Sequence, residues 1–232
     1  MDATPKPLKA LTVLAGLMLT GALGLALFYA PREVVMGDVQ RVFYFHVSAG
    51  WVGMVSFLVT AVAGVAYLVR RDMRWDVVAV ASVEIGIAFI LANVVSGSIW
   101  ARPVWNTWWT WDPRLVTATV MELIYLAYLM LRAGIEDPER RARIGALYGV
   151  AGFLSVPITF LSIRYVRTIH PVIIGSNPSA QGAFDMTPRM VQVFVFSLLA
   201  FTVLYAALLW HRVRLERMAR SVEEAKRRLQ PA

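Results

Sequence analysis

Five of the eight tryptophans in this chain fall in one short stretch, Trp100 to Asp112, read WARPVWNTWWTWD. Indole offers a large flat apolar face and a single N–H donor, so Trp105, Trp108, Trp109 and Trp111 can form a platform for a planar apolar body, with Asp112 closing it. Two of the three histidines keep aromatic or cationic company: His46 in Phe43-Tyr44-Phe45-His46-Val47, and His170 in Arg164-Tyr-Val-Arg167-Thr-Ile-His170-Pro. A neutral imidazole is a metal ligand, and arginine recognises carboxylates. One or two tryptophans need no function at a membrane boundary, where the ring sits well at headgroup level. Four in seven residues exceed what such a belt requires.

The elements that must position these groups are apolar helices. Of 232 residues 58% are hydrophobic and 16% charged, with a mean hydropathy of +0.60, the profile of a polytopic membrane protein. Six runs, Leu8–Ala30, Val42–Val69, Val77–Trp100, Leu115–Leu131, Ile144–Ile163 and Met190–Trp210, can each cross a bilayer, which takes about 20 residues. Lipid cannot satisfy open backbone groups, so all six are expected as α-helices. The first run is longer than the roughly 7–15 residue core of a secretory signal and is read as helix one. The expected organisation is an all-α six-helix membrane domain over 1–210, with an outer loop at 100–114, followed by a basic tail helix over 211–232.

Basic residues divide by loop parity. Sixteen fall on the tails and even-numbered connections and seven on the other side, a positive-inside pattern that predicts both termini in the cytoplasm. The net charge of +8 therefore implies no nucleic-acid partner. The absence of cysteine excludes disulfides, thiolate metal sites and Cys-x-x-Cys-His haem attachment.

Along the chain, Glu84 and Glu122 are acids inside spans, each about 10 Å from a helix end, and such groups face a bundle interior. Glu84 has no evident sequence partner, and structural and functional readings of it stand level. Pro157 predicts a kink in helix five. The loop Pro171 to Arg189, with Gly175, Pro178 and Gly182, is expected to be irregular and to cover a site or meet a partner. Beyond Trp210, the pairs Glu216/Arg220, Glu223/Arg227 and Glu224/Arg228 suit an exposed helix or a partner surface.

This topology brings His46, His170 and the tryptophan stretch to the outer side together. Iron porphyrin needs one or two imidazole ligands, an apolar planar surface and cations for its propionates. His46 and His170 meet the first need and Trp105, Trp108, Trp109 and Trp111 the second. Arg164, Arg167, Arg102 or Arg114 meet the third. The residue types match haem better than a bare metal or a nucleotide.

Trp105-Asn-Thr-Trp-Trp-Thr-Trp-Asp112 also resembles the tryptophan-rich "WWD" signature of haem-handling proteins in cytochrome c maturation. Six helices, about 230 residues and the contexts of His46 and His170 resemble the CcmC branch. Asn106 stands where that family usually has glycine. The resemblance implies a non-enzymatic protein of the bacterial inner membrane that binds haem b, non-covalently and transiently, at its periplasmic face. His46 and His170 would be the axial ligands, with Trp105, Trp108, Trp109, Trp111 and Asp112 against the porphyrin and Arg164 and Arg167 near its propionates. The haem would pass to the chaperone CcmE, beside CcmA, CcmB and CcmD. A membrane b-type cytochrome is one alternative, although the inner side offers only His211; a haem or solute permease is another.

Overall fold

The computed structural model describes residues 4–34, 36–173 and 186–229, with the side chains of 220, 223–225 and 227–229 left aside. It is built from α1 (Lys6–Gly24), which runs on into a π turn at Leu25–Tyr29, a 3-10 turn at Asp38–Arg41, α2 (Val42–Arg70), α3 (Met73–Trp105), α4 (Pro113–Ala133), α5 (Pro138–Gly152), α6 (Ser155–Tyr165) and α7 (Pro188–Leu229). With α5 and α6 counted as one crossing, six spans are long and apolar enough to cross a membrane, matching the six expected runs. The last continues past Trp210, so the basic tail is the end of α7. Of the expected loop Pro171 to Arg189, residues 174–185 lie outside the described residues, as do the side chains that would complete the three tail pairs.

Local chemistry sets the helix ends. Asp72, Asp112 and Asp137 cap α3, α4 and α5, accepting from the N–H groups of Arg74, Arg114 and Arg140 at 2.9, 2.9 and 2.7 Å. Proline follows the second and third of these caps, where its missing N–H costs nothing. The fifth crossing breaks at Phe153–Leu154, because Pro157 cannot donate to the Phe153 carbonyl and its ring crowds it. Val156 N–H donates to that carbonyl instead at 3.0 Å, and the Ser155 hydroxyl satisfies Gly152 at 2.6 Å.

Helix α2 is the hub, packed on α3, α5 and α7. Its approach to α3 is too close for a side chain at Gly53, where a Cβ would lie 2.2 Å from Ile90. Several polar groups in this interior bond across helices. Ser82 donates to the Ser56 carbonyl at 2.6 Å and meets the Tyr205 hydroxyl at 2.7 Å, and Thr60 lies 3.2 Å from the Ala79 carbonyl.

Two ion pairs fix the end opposite the histidines. Arg132 holds Asp76 in a bidentate pair at 2.7 and 3.0 Å, with side chains 9% and 4% exposed. Glu84, unpartnered in the sequence, is paired with Arg212 of α7 at 2.5 and 3.0 Å. Arg132→Met should therefore destabilise the fold by about 3–5 kcal/mol by removing the bidentate partner of the buried Asp76 carboxylate. The double replacement with Asp76→Leu should recover most of that loss in denaturation of the detergent-purified protein.

Candidate functional site

His46 lies in the first turn of α2 and points at α3. Its Nδ1 is 2.9 Å from the Asn93 carbonyl, an atom that only accepts, so Nδ1 carries a proton and in the neutral ring the lone pair is on Nε2, 3.5 Å from the Asn93 amide nitrogen. The Asn93 side-chain amide donates back to the His46 carbonyl at 2.8 Å, and Ser96 Oγ stands 3.2 Å from Nδ1. Gly97 makes room for the ring, because a Cβ there would come within 2.9 Å of His46 Cε1. These contacts fix the orientation of the His46 ring.

His170 stands on no helix. It follows α6 by five residues, in a segment tied to the end of the tryptophan stretch. The Asp112 carboxylate, already the cap of α4, accepts from the Thr168 hydroxyl at 2.8 and 2.9 Å and from the Ile169 N–H at 2.8 Å. The His170 N–H in turn donates to Thr168 Oγ at 3.0 Å. The ring Nδ1 donates to the Pro171 carbonyl at 3.1 Å, again leaving Nε2 as the free lone pair. The two imidazole rings face one another with centroids 6.5 Å apart and planes 34° from parallel.

Two hollows of about 550 and 610 Å³ share His46, Asn93, Arg114 and His170 in their walls. Trp100, Trp105, Trp108 and Trp109 line the first; Met54, Phe160, Ile163, Ile173 and Phe194 line the second. Trp105 stands edge-on to both His170, at 6.4 Å, and Trp100, at 5.0 Å. Trp111 is 83% exposed and lies outside the lining, braced edge-on against Trp109.

The cations sort in the same way. Arg114 reaches both hollows and donates to the Thr159 carbonyl at 2.7 Å. Arg164 lines the second hollow, with its guanidinium 4.2 Å over the Phe160 ring. Arg167 is exposed and lines neither, and Arg102 is held by the Asn106 carbonyl at 2.9 Å.

Asn106, the departure from the usual glycine, ends α3 at φ 56° and ψ 22°. Asparagine tolerates this left-handed position better than most residues, so the turn survives the exchange. The sequence reading left out Asn93, Ser96 and Gly97 as supports of His46, and Thr168 as support of His170. A helical wheel places Asn93 and Gly97 on one face, which was the available signal; nothing in the sequence pairs Thr168 with Asp112.

Comparison with known proteins decides what this arrangement belongs to. The family model described as heme exporter protein C, CcmC, matches residues 1–228. This chain belongs to the CcmC family. Among its relatives is heme exporter protein C of Bradyrhizobium diazoefficiens, 32% identical over 77% of this chain and 69% of the relative. That of Rhodobacter capsulatus is 31% identical over 93% and 89%. In Escherichia coli K12 the figures are 29% over 80% and 74%. The CcmC match covers both histidines, the tryptophan stretch and all six spans.

Burial holds His170 far below its ordinary pKa of 6.5, at about 3. Arg114 and the neighbouring His46 push in the same direction, and the bond to Pro171 only partly opposes them. A folded pKa below the unfolded one makes the folded state lose stability as pH falls from 6.5 towards 3, because the unfolded form then binds the extra proton. The His170 ring nitrogens should accordingly keep the shifts of a neutral imidazole from pH 8 to pH 5 in ¹⁵N NMR of labelled protein. A midpoint near 6.5 would contradict the buried geometry.

Proposed function

We propose that this chain holds haem b, non-covalently and transiently, between His46 and His170, and delivers it to the haem chaperone CcmE during cytochrome c maturation. The observation that carries this reading is the neighbouring pair of imidazoles, each with Nδ1 committed to a backbone carbonyl, and with Nε2 met in His46 only by the Asn93 amide at 3.5 Å. Metal–imidazole bonds of about 2 Å on either side of one ion place ring centroids roughly 6 Å apart, close to the 6.5 Å found here. A porphyrin passing between the rings would extend into the two hollows, against Trp105, Trp108 and Trp109 on one side and Phe160 and Phe194 on the other.

Membership of a family named for haem export supports haem as the cargo. Arg114 and Arg164 are the cations that reach the hollows and suit the propionates, and Arg167 sits further out. The positive-inside pattern supports a periplasmic site in the bacterial inner membrane, with both termini and the end of α7 in the cytoplasm. The work is binding and transfer, with any haem attachment to CcmE assisted at this face, and CcmA, CcmB and CcmD are the partners the family implies. Against a second, inner haem of a b-type cytochrome, His211 is engaged by Thr12 Oγ at 2.9 Å, tying α7 to α1.

The protein purified with CcmE should show a haem Soret band that weakens or shifts in both His46→Ala and His170→Ala, with chaperone loading lost in each. Undiminished loading in both variants would remove the ligand assignment.

A further inference from the structure

We infer that Asp112 is the positioning residue for His170: through Thr168 and Ile169 its carboxylate holds the ligand loop to the tryptophan stretch and so sets the gap between the two imidazoles. The inference rests on the reading of His170 as a haem ligand. It assigns Asp112 a role apart from the porphyrin surface.

The two histidines are held by unlike means. His46 belongs to a helix and is oriented by the backbone of a second helix packed against it, an arrangement fixed by the bundle. His170 has no helix under it. Between Val166, whose N–H still reaches the Ser162 carbonyl at 3.0 Å, and His170, the Thr168 hydroxyl and the Ile169 N–H are held by the Asp112 carboxylate and the His170 N–H by Thr168. Asp112 is 7% exposed, and its acceptor capacity is divided among three donors: Arg114 N–H, the Thr168 hydroxyl and Ile169 N–H. Thr168 relays the placement, donating its one proton to the carboxylate and accepting the His170 N–H.

The same carboxylate ends the tryptophan stretch by capping α4, so ligand loop and aromatic wall share one anchor. Trp105, packed edge-on to His170, completes that unit. Breaking the tie should leave the wall and His46 in place and release the second ligand.

Asp112→Asn separates the roles. Asparagine caps a helix as well as aspartate does, but its amide group turns a donor towards a site where Thr168 and Ile169 both donate. Thr168→Val removes the relay without changing size, and Thr168→Ser keeps it. The experiment compares these variants with wild type and His170→Ala as purified full-length proteins loaded with haem. It reads the low-spin six-coordinate signal in absorption and electron paramagnetic resonance, haem retention, and recovery of the low-spin signal on adding free imidazole.

Asp112→Asn and Thr168→Val should lose haem affinity by about 10- to 100-fold, the usual effect of removing an outer-shell partner. They should also take on the spectrum of His170→Ala and, like it, return to low spin with imidazole; Thr168→Ser should match wild type. A wild-type spectrum in both Asp112→Asn and Thr168→Val overturns the inference while leaving His170 as a ligand. So does haem loss in both that imidazole cannot rescue where it rescues His170→Ala. A wild-type spectrum in His170→Ala instead overturns the ligand reading itself, and Asp112 then has no ligand to position.

Discussion

Two neutral imidazoles facing each other across 6.5 Å are the constraint around which the histidine end is built. Each ring gives Nδ1 to a backbone carbonyl, a contact that also holds it against the rotation a free side chain would take. His46 makes this contact with α3, which supplies the Asn93 carbonyl below the ring and the bare backbone of Gly97 beside it. His170 makes it from a loop, and the loop needs a tie that the helices do not provide. Asp112 supplies it from 56 residues away in the chain, at the point where the tryptophan stretch turns into α4.

The rest of the bundle keeps α2, α3 and α4 in fixed relation so that this pair can exist. In an apolar medium some polar side chains of the interior find partners on neighbouring helices, as Ser82, Tyr205 and Thr60 do. At the other end, Asp76 and Arg132 lock α3 to α4, and Glu84 and Arg212 lock α3 to α7. The break at Pro157 turns α6 against α4, where Arg114 reaches the Thr159 carbonyl and Thr159 donates to that of Thr117 at 3.1 Å.

The platform is narrower than its tryptophan count implies. Trp105, Trp108 and Trp109 face the hollow with Trp100, while Trp111 points outwards. The left-handed turn at Asn106 is what folds the stretch back after α3, and the Asp112 cap fixes where it ends. Between those two points lie Trp108, Trp109 and Trp111, while Trp105 still belongs to α3.

By itself the sequence determined the spans, because about 20 apolar residues in lipid have no stable form other than a helix, but not their ends: α3 runs on to Trp105, into the expected loop at 100–114, and α7 runs past Trp210. It also brought His46, His170 and the tryptophans to one side, since topology alone assigns sides. Only the tertiary structure decided that the two rings face each other, that Arg114 rather than Arg102 or Arg167 lines both hollows, that Glu84 meets Arg212, and that Asp112 binds the His170 loop. Those are contacts between residues tens of positions apart. Their pairing depends on how the helices rotate and pack, which the periodicity of a single segment does not carry.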